Sequence, residues 1–268
     1  MRTAMPVVLA AAIFAVSAGA LTSPAPTRPP APPGTIVDLT HAFDADTIYW
    51  PTAGGFVLER VAHGVTDQGY FYAANRFCAA EHGGTHLDAP IHFFEGRRTA
   101  DAIPLEQLIG VAVRVDVSAK CAKDRDYRIG VEDLGGWERQ HGRIPAGAIV
   151  LLQTGWAERW GDRAAYLGTS RTGPEAVPEL HFPGLHKDAA RWLARERAVK
   201  AIGLDTASID YGQSTLFESH VLLFEANVPA FENVASLDRL PAKDFVVAAL
   251  PMKIRGGTGG PLRIVAWW

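Results

Sequence analysis

The chain has 268 residues, of which 48% are hydrophobic, and 26 basic against 29 acidic side chains give a formal net charge of −3 at pH 7. This composition is typical of a globular protein with one large domain or two small ones. The sequence contains no basic run or charged tail, which argues against a nucleic-acid partner.

The first twenty residues have the pattern of an export signal. Arg2 precedes a short apolar run that ends in an Ala-Gly-Ala sequence, so we expect residues 1–20 to be cleaved off after Ala20. The alternative is a membrane anchor, which the shortness of the run and Pro6 disfavour. The sequence therefore predicts an exported protein, periplasmic or secreted, that is soluble after signal cleavage.

A proline-rich segment separates this signal from the rest of the chain. Residues 21–35 contain too much proline to pack and are expected to form an extended linker or arm. No such segment divides residues 36–268, which we interpret as one domain. Cys78 and Cys121 are the only cysteines. Export permits a disulfide between them but a domain of this size does not need one, so the sequence leaves both states open.

Apolar runs along the domain predict its secondary structure. Runs rich in Val, Ile and Leu predict short strands at 35–43, 56–65, 111–117, 148–155, 201–209 and 246–254. Helical spacing of apolar residues predicts a helix over 186–199, with weaker candidates at 130–140 and 155–167. Because helix and strand alternate, we expect an α+β (mixed α/β) fold, a single compact domain with a mixed β-sheet packed by helices.

A glycine-rich segment, residues 254–261, superficially resembles a phosphate-binding loop. It lacks the Lys-Ser/Thr pair that reaches phosphate and magnesium in such loops, so nucleotide binding is disfavoured. The glycines instead predict a tight turn between two apolar segments near the C-terminus.

The run EHGGTHLDAPIHF, residues 81–93, carries the clearest chemical signal. His82, His86, Asp88 and His92 lie close together, and imidazole and carboxylate are common ligands for zinc and similar ions. The intervening glycines and Pro90 disfavour a helix and favour a loop or strand end. If the second half of the run is extended, three of these side chains share one face. Histidines are usually surface or core residues, but this density favours a metal site.

Two further ligand candidates lie near the end of the chain. His220 and Glu232 are twelve residues apart, separated by an apolar run that we interpret as a strand. His220 could instead end that strand, and Glu232 could cap a helix-like segment at 233–240. Next to a site that already holds imidazoles, both become favoured as ligands.

The sequence HGGTHLDAPIHF resembles the H-x-G-T-H-x-D-x-P-x-H signature of the cyclase family of metal-dependent hydrolases, which includes bacterial kynurenine formamidases and isatin hydrolases. Segments at 203–215, 231–241 and 250–266 resemble later blocks of the family in the expected order. The resemblance implies a cyclase-family fold of the swivelling β/β/α type and self-association, most simply as a homodimer. The resemblance also implies roles for individual residues. The implied metal ligands are His82, His86, Asp88, His220 and Glu232. His92 is the implied catalytic acid/base, and Trp50 is the implied aromatic contact to the substrate.

These residues imply hydrolysis of a carbon–nitrogen amide bond. A divalent ion activates water and polarises a carbonyl, and an imidazole can deliver the proton to the leaving nitrogen. The expected substrate is a small aromatic molecule, an aryl formamide or a cyclic aryl amide, and export favours the cyclic amide or a lactone. Mixed nitrogen and oxygen ligands do not distinguish zinc from manganese, or one ion from two. The alternatives are an exported metal-binding protein without catalysis and a lactone hydrolase.

Some residues around the predicted site have two readings. Asp205, Ser208 and Asp210 could orient the ligands or could shape the turn that follows a strand. A set of aromatic residues could line a pocket for a flat substrate or belong to the core, namely Trp50, Tyr70, Phe71, Tyr72, Phe93 and Phe94.

Overall fold

The computed structural model describes residues 34–268. The predicted signal peptide and residues 21–33 of the predicted arm lie outside the described residues. None of the helices formed by residues 34–268 is long and apolar enough to cross a bilayer.

Twelve strands and six α-helices form along residues 34–268. The strands are β1 (Ile36–Asp38), β2 (Val57–Val65), β3 (Phe71–Cys78), β4 (His86–Asp88), β5 (Ile109–Asp116), β6 (Arg128–Ile129), β7 (Ile149–Gln153), β8 (Gly184–Leu185), β9 (Ala201–Leu204), β10 (Ala230–Glu232), β11 (Phe245–Pro251) and β12 (Gly259–Trp267). The helices are α1 (Leu105–Leu108), α2 (Ser118–Cys121), α3 (Val131–His141), α4 (Arg163–Leu167), α5 (Lys187–Glu196) and α6 (Glu218–Glu225).

Eight of these strands form one sheet that closes on itself. Its order is β1-β12-β11-β5-β7-β9-β10-β4, and β4 pairs with β12 as well as with β10. Strands β5, β7, β9 and β10 run parallel, whereas β4, β11 and β12 pair antiparallel with their neighbours. The predicted mixed sheet is therefore confirmed, and it has the form of a barrel.

Side chains on alternate positions of the sheet fill two separate hydrophobic clusters. In β7, Ile149 and Leu151 belong to one cluster, together with Leu87 of β4 and Phe231 of β10. Val150 belongs to the other cluster, together with the apolar residues of β5 and β9 that point to the same face of the sheet. Apolar side chains of α3, α5 and α6 complete this cluster. Because the side-chain period of a strand is two, parallel strands covered on both faces are continuously apolar, as β7 and β9 are.

A strand forms within each of the six predicted strand segments, although β1 and β9 cover only part of theirs, and the strongest predicted helix is confirmed. Helix α5 leads directly into β9, and β11 pairs with β12 around the glycine-rich turn. The predicted helix over 155–167 is wrong as one element: a 3₁₀ turn, Trp156–Arg159, precedes α4, and Gly161 between them has a φ of +97°. Asp162 then starts α4 by accepting a hydrogen bond from the backbone N–H of Ala165 at 3.0 Å.

The segment between the two late ligand candidates was also wrongly predicted. It forms the helix α6 followed by β10, not a single strand. Glu232 ends β10 and does not cap a helix; the segment after it contains only a short 3₁₀ turn, Leu237–Arg239. The signature run is extended only over β4, since Pro90–His92 forms another 3₁₀ turn.

Strands β2 and β3 form a hairpin outside the barrel sheet. Its apolar side chains are largely exposed, including Leu58, Val61, Phe71 and Phe77. Cys78 at its end is exposed and Cys121 is buried, and both are free thiols. Of the two states that the sequence allows for the cysteines, the structure therefore has the unbridged one.

Candidate metal centre and active site

The register of β4 brings three acidic and imidazole side chains onto one face. His86 lies directly opposite Glu232 of β10, and Asp88 follows two residues later on the same face of β4. Leu87, between them, points to the opposite face and joins the core inside the sheet. Two predicted ligands from the signature and one from the end of the chain therefore meet by strand pairing.

The glycines of the signature allow a tight approach of the chain to its surroundings. A Cβ on Gly83 would lie 2.0 Å from the Tyr49 ring, and one on Gly84 would lie 2.5 Å from the Phe43 ring. Gly84 also has a φ of +59°, which favours glycine. This turn places His82 beside β4, with its Nδ1 2.6 Å from Oδ1 of Asp88.

Helix α6 contributes the second buried imidazole of the cluster, after that of His86. His220 is 2% exposed, and its Nδ1 lies 2.6 Å from Oδ2 of Asp210. Asp210 also accepts hydrogen bonds from the backbone N–H groups of Ser219 and His220, at 3.0 and 3.2 Å. Asp210 therefore orients His220 so that its Nε2 faces the other candidate ligands.

Asp88 lies at the centre of the cluster. Its Oδ1 is 2.6 Å from Nδ1 of His82 and 3.1 Å from Nε2 of His86, while its Oδ2 is 3.2 Å from Nε2 of His220. Glu232 lies 3.1 Å from Nε2 of His220 and 3.5 Å from Nε2 of His86. The structure thus brings all five predicted ligands together.

A network around Asn233 fixes the ring of His86. Nδ1 of His86 lies 2.9 Å from the carbonyl oxygen of Gly84, which also accepts a hydrogen bond from Asn233 Nδ2 at 2.7 Å. Tyr166 in turn donates its hydroxyl hydrogen to Oδ1 of Asn233 at 2.8 Å. Since Nδ1 donates to this carbonyl, Nε2 is the atom that carries the lone pair whenever the ring is neutral; it is buried beside carboxylate oxygens of Asp88 and Glu232, at 3.1 and 3.5 Å, without a well-aligned hydrogen bond. A buried lone pair beside two carboxylates fits a bound cation.

The electrostatics of the cluster favour positive charge. Burial alone would lower the pKa of His86, but hydrogen bonding to Asp88 and the charges of Asp88 and Glu232 raise it to about 9. Burial alone would also lower the pKa of His220, but hydrogen bonds to Asp210, Asp88 and Glu232 outweigh this effect and raise the pKa well above its usual value. Burial and the charge of Asp88 raise the pKa of Glu232. Two imidazoles therefore hold protons where a metal ion would supply the positive charge.

His92 lies at the edge of this cluster. Its ring stacks on that of His82 with centroids 3.8 Å apart, and one of its nitrogens lies within 4.8 Å of ligand atoms of His82 and Asp88. Burial lowers the pKa of His92 to about 4, so this imidazole is neutral at neutral pH. A neutral imidazole at this position can accept a proton from water.

The cluster forms the base of a cavity of about 300 Å³. Its walls are mostly apolar, and Trp50, Phe93 and Phe217 stand close together, with the Phe217 ring 6.3 Å from Trp50 and 5.1 Å from Phe93. Phe217 precedes α6 with a φ of 48°, an uncommon conformation for an aromatic residue. The cavity therefore combines a polar base with aromatic walls.

Other candidates from the sequence lie elsewhere. Tyr70, Phe71 and Tyr72 belong to the exposed hairpin region and do not line the cavity. Asp205 is buried beside the loop after β7, where its carboxylate accepts hydrogen bonds from Thr154 and not from a candidate ligand.

Ser208 and Phe93 line the cavity, whereas Phe94 packs against the core. Sequence reasoning missed Tyr49, Phe217 and Asn233 as lining residues. Asn233 follows the predicted ligand Glu232 directly, and Phe217 precedes His220 by three residues, so proximity to the ligands was the available signal.

Comparison with known proteins places the chain in a family. The model of the family described as putative cyclase matches residues 37–211, more than half of the chain. The chain belongs to the cyclase family. It is 36% identical to isatin hydrolase from Roseibium aggregatum over 74% of this chain and 76% of that protein. It is 29% identical to kynurenine formamidase from Salinibacter ruber over 86% of this chain and 96% of that protein.

The fold agrees with this assignment. The structure matches isatin hydrolase A from Ralstonia solanacearum with a TM-score of 0.78 and 36% identity, covering 87% of this chain and 91% of that one. The predicted fold and the predicted class of enzyme, a metal-dependent amide hydrolase of the cyclase family, are therefore confirmed.

Proposed function

We propose that the protein hydrolyses a cyclic aryl amide of the isatin type, with an aryl formamide such as N-formylkynurenine as the second candidate. The observation that carries this proposal is the buried cluster of imidazoles and carboxylates at the base of an aromatic-walled cavity. Greater identity to isatin hydrolase than to kynurenine formamidases favours the cyclic substrate. Trp50 would stack against the aromatic ring of the substrate.

The five candidate ligands fit one or two divalent ions. His82, His86, Asp88, His220 and Glu232 would hold zinc or manganese, with the two carboxylates able to bridge two ions. Such an ion activates water and polarises a carbonyl oxygen. Nε2 of His86 supports this proposal, because it is buried without a well-aligned hydrogen bond and a bound cation would give it a partner.

His92 is the proposed proton carrier. As a neutral imidazole beside the cluster, it accepts a proton from the attacking water and returns it to the leaving nitrogen. The walls of the cavity are mostly apolar, so His92 at its base is the side chain proposed to deliver the proton to the leaving group.

The protein is further proposed to act outside the cytoplasm as a homodimer. Export rests on the signal-type sequence of residues 1–20. Dimerisation is supported by the hairpin, since two strands alone are marginal in water and contiguous exposed apolar side chains are typical of interfaces. A second copy that packs its own hairpin against this surface would form a two-fold dimer.

The test is turnover of isatin and N-formylkynurenine, followed by absorbance with and without added zinc or manganese. Chelator-treated protein should lose activity, and the functional metal should restore it. His86→Ala and Asp88→Ala should lose metal content together with rate. Full activity in protein shown metal-free by elemental analysis would refute the proposal. Metal uptake without turnover of either substrate or of a related lactone would instead indicate a binding protein.

A further inference from the structure

The glycine-rich turn at residues 256–260 contacts the candidate metal centre directly. Thr258 lies just before β12, and its Oγ1 is 2.8 Å from Nε2 of His82. Its carbonyl oxygen accepts a hydrogen bond from the backbone N–H of Ala89 at 2.8 Å, which ties the turn to the end of β4. The turn is thus fixed to the strand that carries two of the candidate ligands.

The glycines on either side of Thr258 permit this approach. A Cβ on Gly259 would lie 2.6 Å from Cε1 of His82 and 2.4 Å from the carbonyl oxygen of Leu87. A Cβ on Gly257 would lie 2.8 Å from Oε1 of Glu81. Any side chain at these two positions would therefore push the turn away from His82 and Glu81.

Glu81 determines the direction of the hydrogen bonds at Thr258. Its Oε2 accepts from the backbone N–H of Thr258 at 2.9 Å and from the Thr258 hydroxyl at 2.6 Å. A hydroxyl has one hydrogen, and here it is donated to the carboxylate. The same oxygen can then only accept from His82, which requires a hydrogen on Nε2.

A hydrogen on Nε2 assigns the other nitrogen of His82 to the metal. Nδ1 of the neutral ring then carries the lone pair, and it lies 2.6 Å from Oδ1 of Asp88. Two acceptor atoms come this close when a proton lies between them, and metal binding would displace that proton. The hydrogen-bond chain from Glu81 through Thr258 thus prepares Nδ1 of His82 as a ligand atom.

We propose that Thr258 and Glu81 are positioning residues that hold His82 with its hydrogen on Nε2 and its Nδ1 toward the metal. This inference rests on the proposed function, since it assigns the turn a role at the same site. It gives the glycine-rich turn a purpose other than phosphate binding: the glycines bring a hydroxyl and a carboxylate against one face of the candidate ligand. Partners of this kind fix the tautomer and orientation of a metal-bound histidine.

The test compares isosteric variants by metal affinity and by NMR. Thr258→Val removes the hydroxyl at nearly constant volume and should weaken zinc binding by about 10- to 100-fold in competition with a chromophoric chelator. Glu81→Met removes the acceptor of the hydroxyl hydrogen and should weaken it in the same direction, and Thr258→Ser should retain near-native affinity because it keeps the hydroxyl. In zinc-loaded protein with ¹⁵N-labelled histidine, His82 should show a slowly exchanging hydrogen on Nε2 that Thr258→Val loses or exposes to exchange.

Thr99→Val is the matched control. Thr99 also donates its hydroxyl hydrogen to a carboxylate, Oδ1 of Asp101 at 2.7 Å, and that same oxygen holds the backbone N–H of Gly256 in the turn. Its loss should leave zinc affinity and the His82 signal unchanged, although it perturbs the same turn.

Native affinity and an unchanged Nε2–H signal in Thr258→Val would overturn the positioning role, and so would equal losses in Thr258→Val and Thr99→Val. If Thr258→Val does not fold, Glu81→Met against Thr258→Ser makes the same comparison. Failure of the native protein to take up any metal would refute the proposed function. In that case, an Nε2–H signal of His82 that depends on Thr258 would still support the hydrogen-bond chain.

Discussion

At the scale of single residues, His92 distinguishes a proton carrier from a ligand. It stacks on His82 yet lies outside the strand that carries the buried ligands. If it carries the proton, His92→Ala should keep near-native metal content and lose about 10²- to 10⁴-fold in amide hydrolysis, because the amine then leaves without its proton. An activated ester, whose leaving group needs less protonation, should be affected less. Bound metal and both rates are measured on one preparation. Loss of metal would make His92 a ligand, and an unchanged amide rate would make it a bystander.

His41 gives a prediction about stability in acid. Its ring stacks on Trp160 with centroids 4.1 Å apart, its Nε2 is buried without a partner, and burial lowers its pKa to about 4. In the unfolded chain this imidazole therefore binds a proton below about pH 6.5, whereas in the folded protein it binds one only below about pH 4. His41 therefore does not affect the free energy of unfolding above pH 6.5, and it lowers that free energy progressively as the pH falls from 6.5 to 4.

We expect His41→Phe to keep the stacking on Trp160 and to remove this loss of stability. The denaturant midpoint of the variant should fall less steeply than that of the native protein between pH 6.5 and 4. Near pH 8, where neither state of the native protein binds this proton, the difference should be smallest. A pair of curves that run parallel over the whole range would show that His41 is not the group that titrates.

At the scale of elements, sequence reasoning succeeded where one pattern had one meaning. The apolar runs of β7 and β9 are buried on both faces, and the apolar residues of α5 recur at helical spacing. In α6 the apolar residues form one continuous run, Val221 to Phe224, and periodicity alone does not separate a buried helix from a buried strand over so short a run. That ambiguity is why the segment was predicted as a strand.

The candidate site was predictable in composition but not in geometry. Imidazoles and a carboxylate in one short run identified most of the candidate ligands that the structure brings together. The pairing of His86 with Glu232 depends on the register between β4 and β10, which is set by partners more than 140 residues apart. Phe217 lines the cavity from a left-handed backbone conformation, which no local sequence pattern predicts. The sequence therefore indicates which side chains belong to the site, whereas only the folded structure shows that they converge.

The hairpin of β2 and β3 carries the prediction that belongs to this scale. Leu58 and Phe77 are opposed across the hairpin and are 60% and 48% exposed. Replacing both by Lys should leave the fold of a single subunit intact, because neither belongs to a buried cluster, and should shift the protein from dimer to monomer. Light scattering on protein that starts at Leu21 measures this, with Glu59→Lys on the same hairpin as a charge control. A native protein that is monomeric at micromolar concentration would contradict the dimer.

At the scale of the whole molecule, the candidate metal centre joins distant parts of the barrel. The signature run, α6 and β10 each contribute candidate ligands, so a bound ion would link segments from residue 82 to residue 232. An ion that binds only the folded protein stabilises it by mass action, by about 2.7 kcal/mol at a hundredfold excess over its dissociation constant. For a domain of this size, that corresponds to roughly 5 to 10 °C in melting temperature.

The size of this stabilisation should depend on pH in a definite direction. In metal-free protein the pKa of His86 is raised to about 9, so its proton stabilises the fold fully below its ordinary value of 6.5, and this contribution is lost as the pH rises to about 9. The metal-bound form needs His86 without that proton, and His220, whose pKa is also raised, must lose its proton too. Protons and metal therefore compete, and the melting temperature gained on adding zinc should be larger at pH 8.5 than at pH 6.5. Thermal melts of chelator-treated protein with and without zinc at both pH values measure this, with His86→Ala expected to gain little at either. An equal gain at both pH values would mean that zinc does not displace protons from these imidazoles, and the assignment of His86 and His220 as ligands would then be wrong.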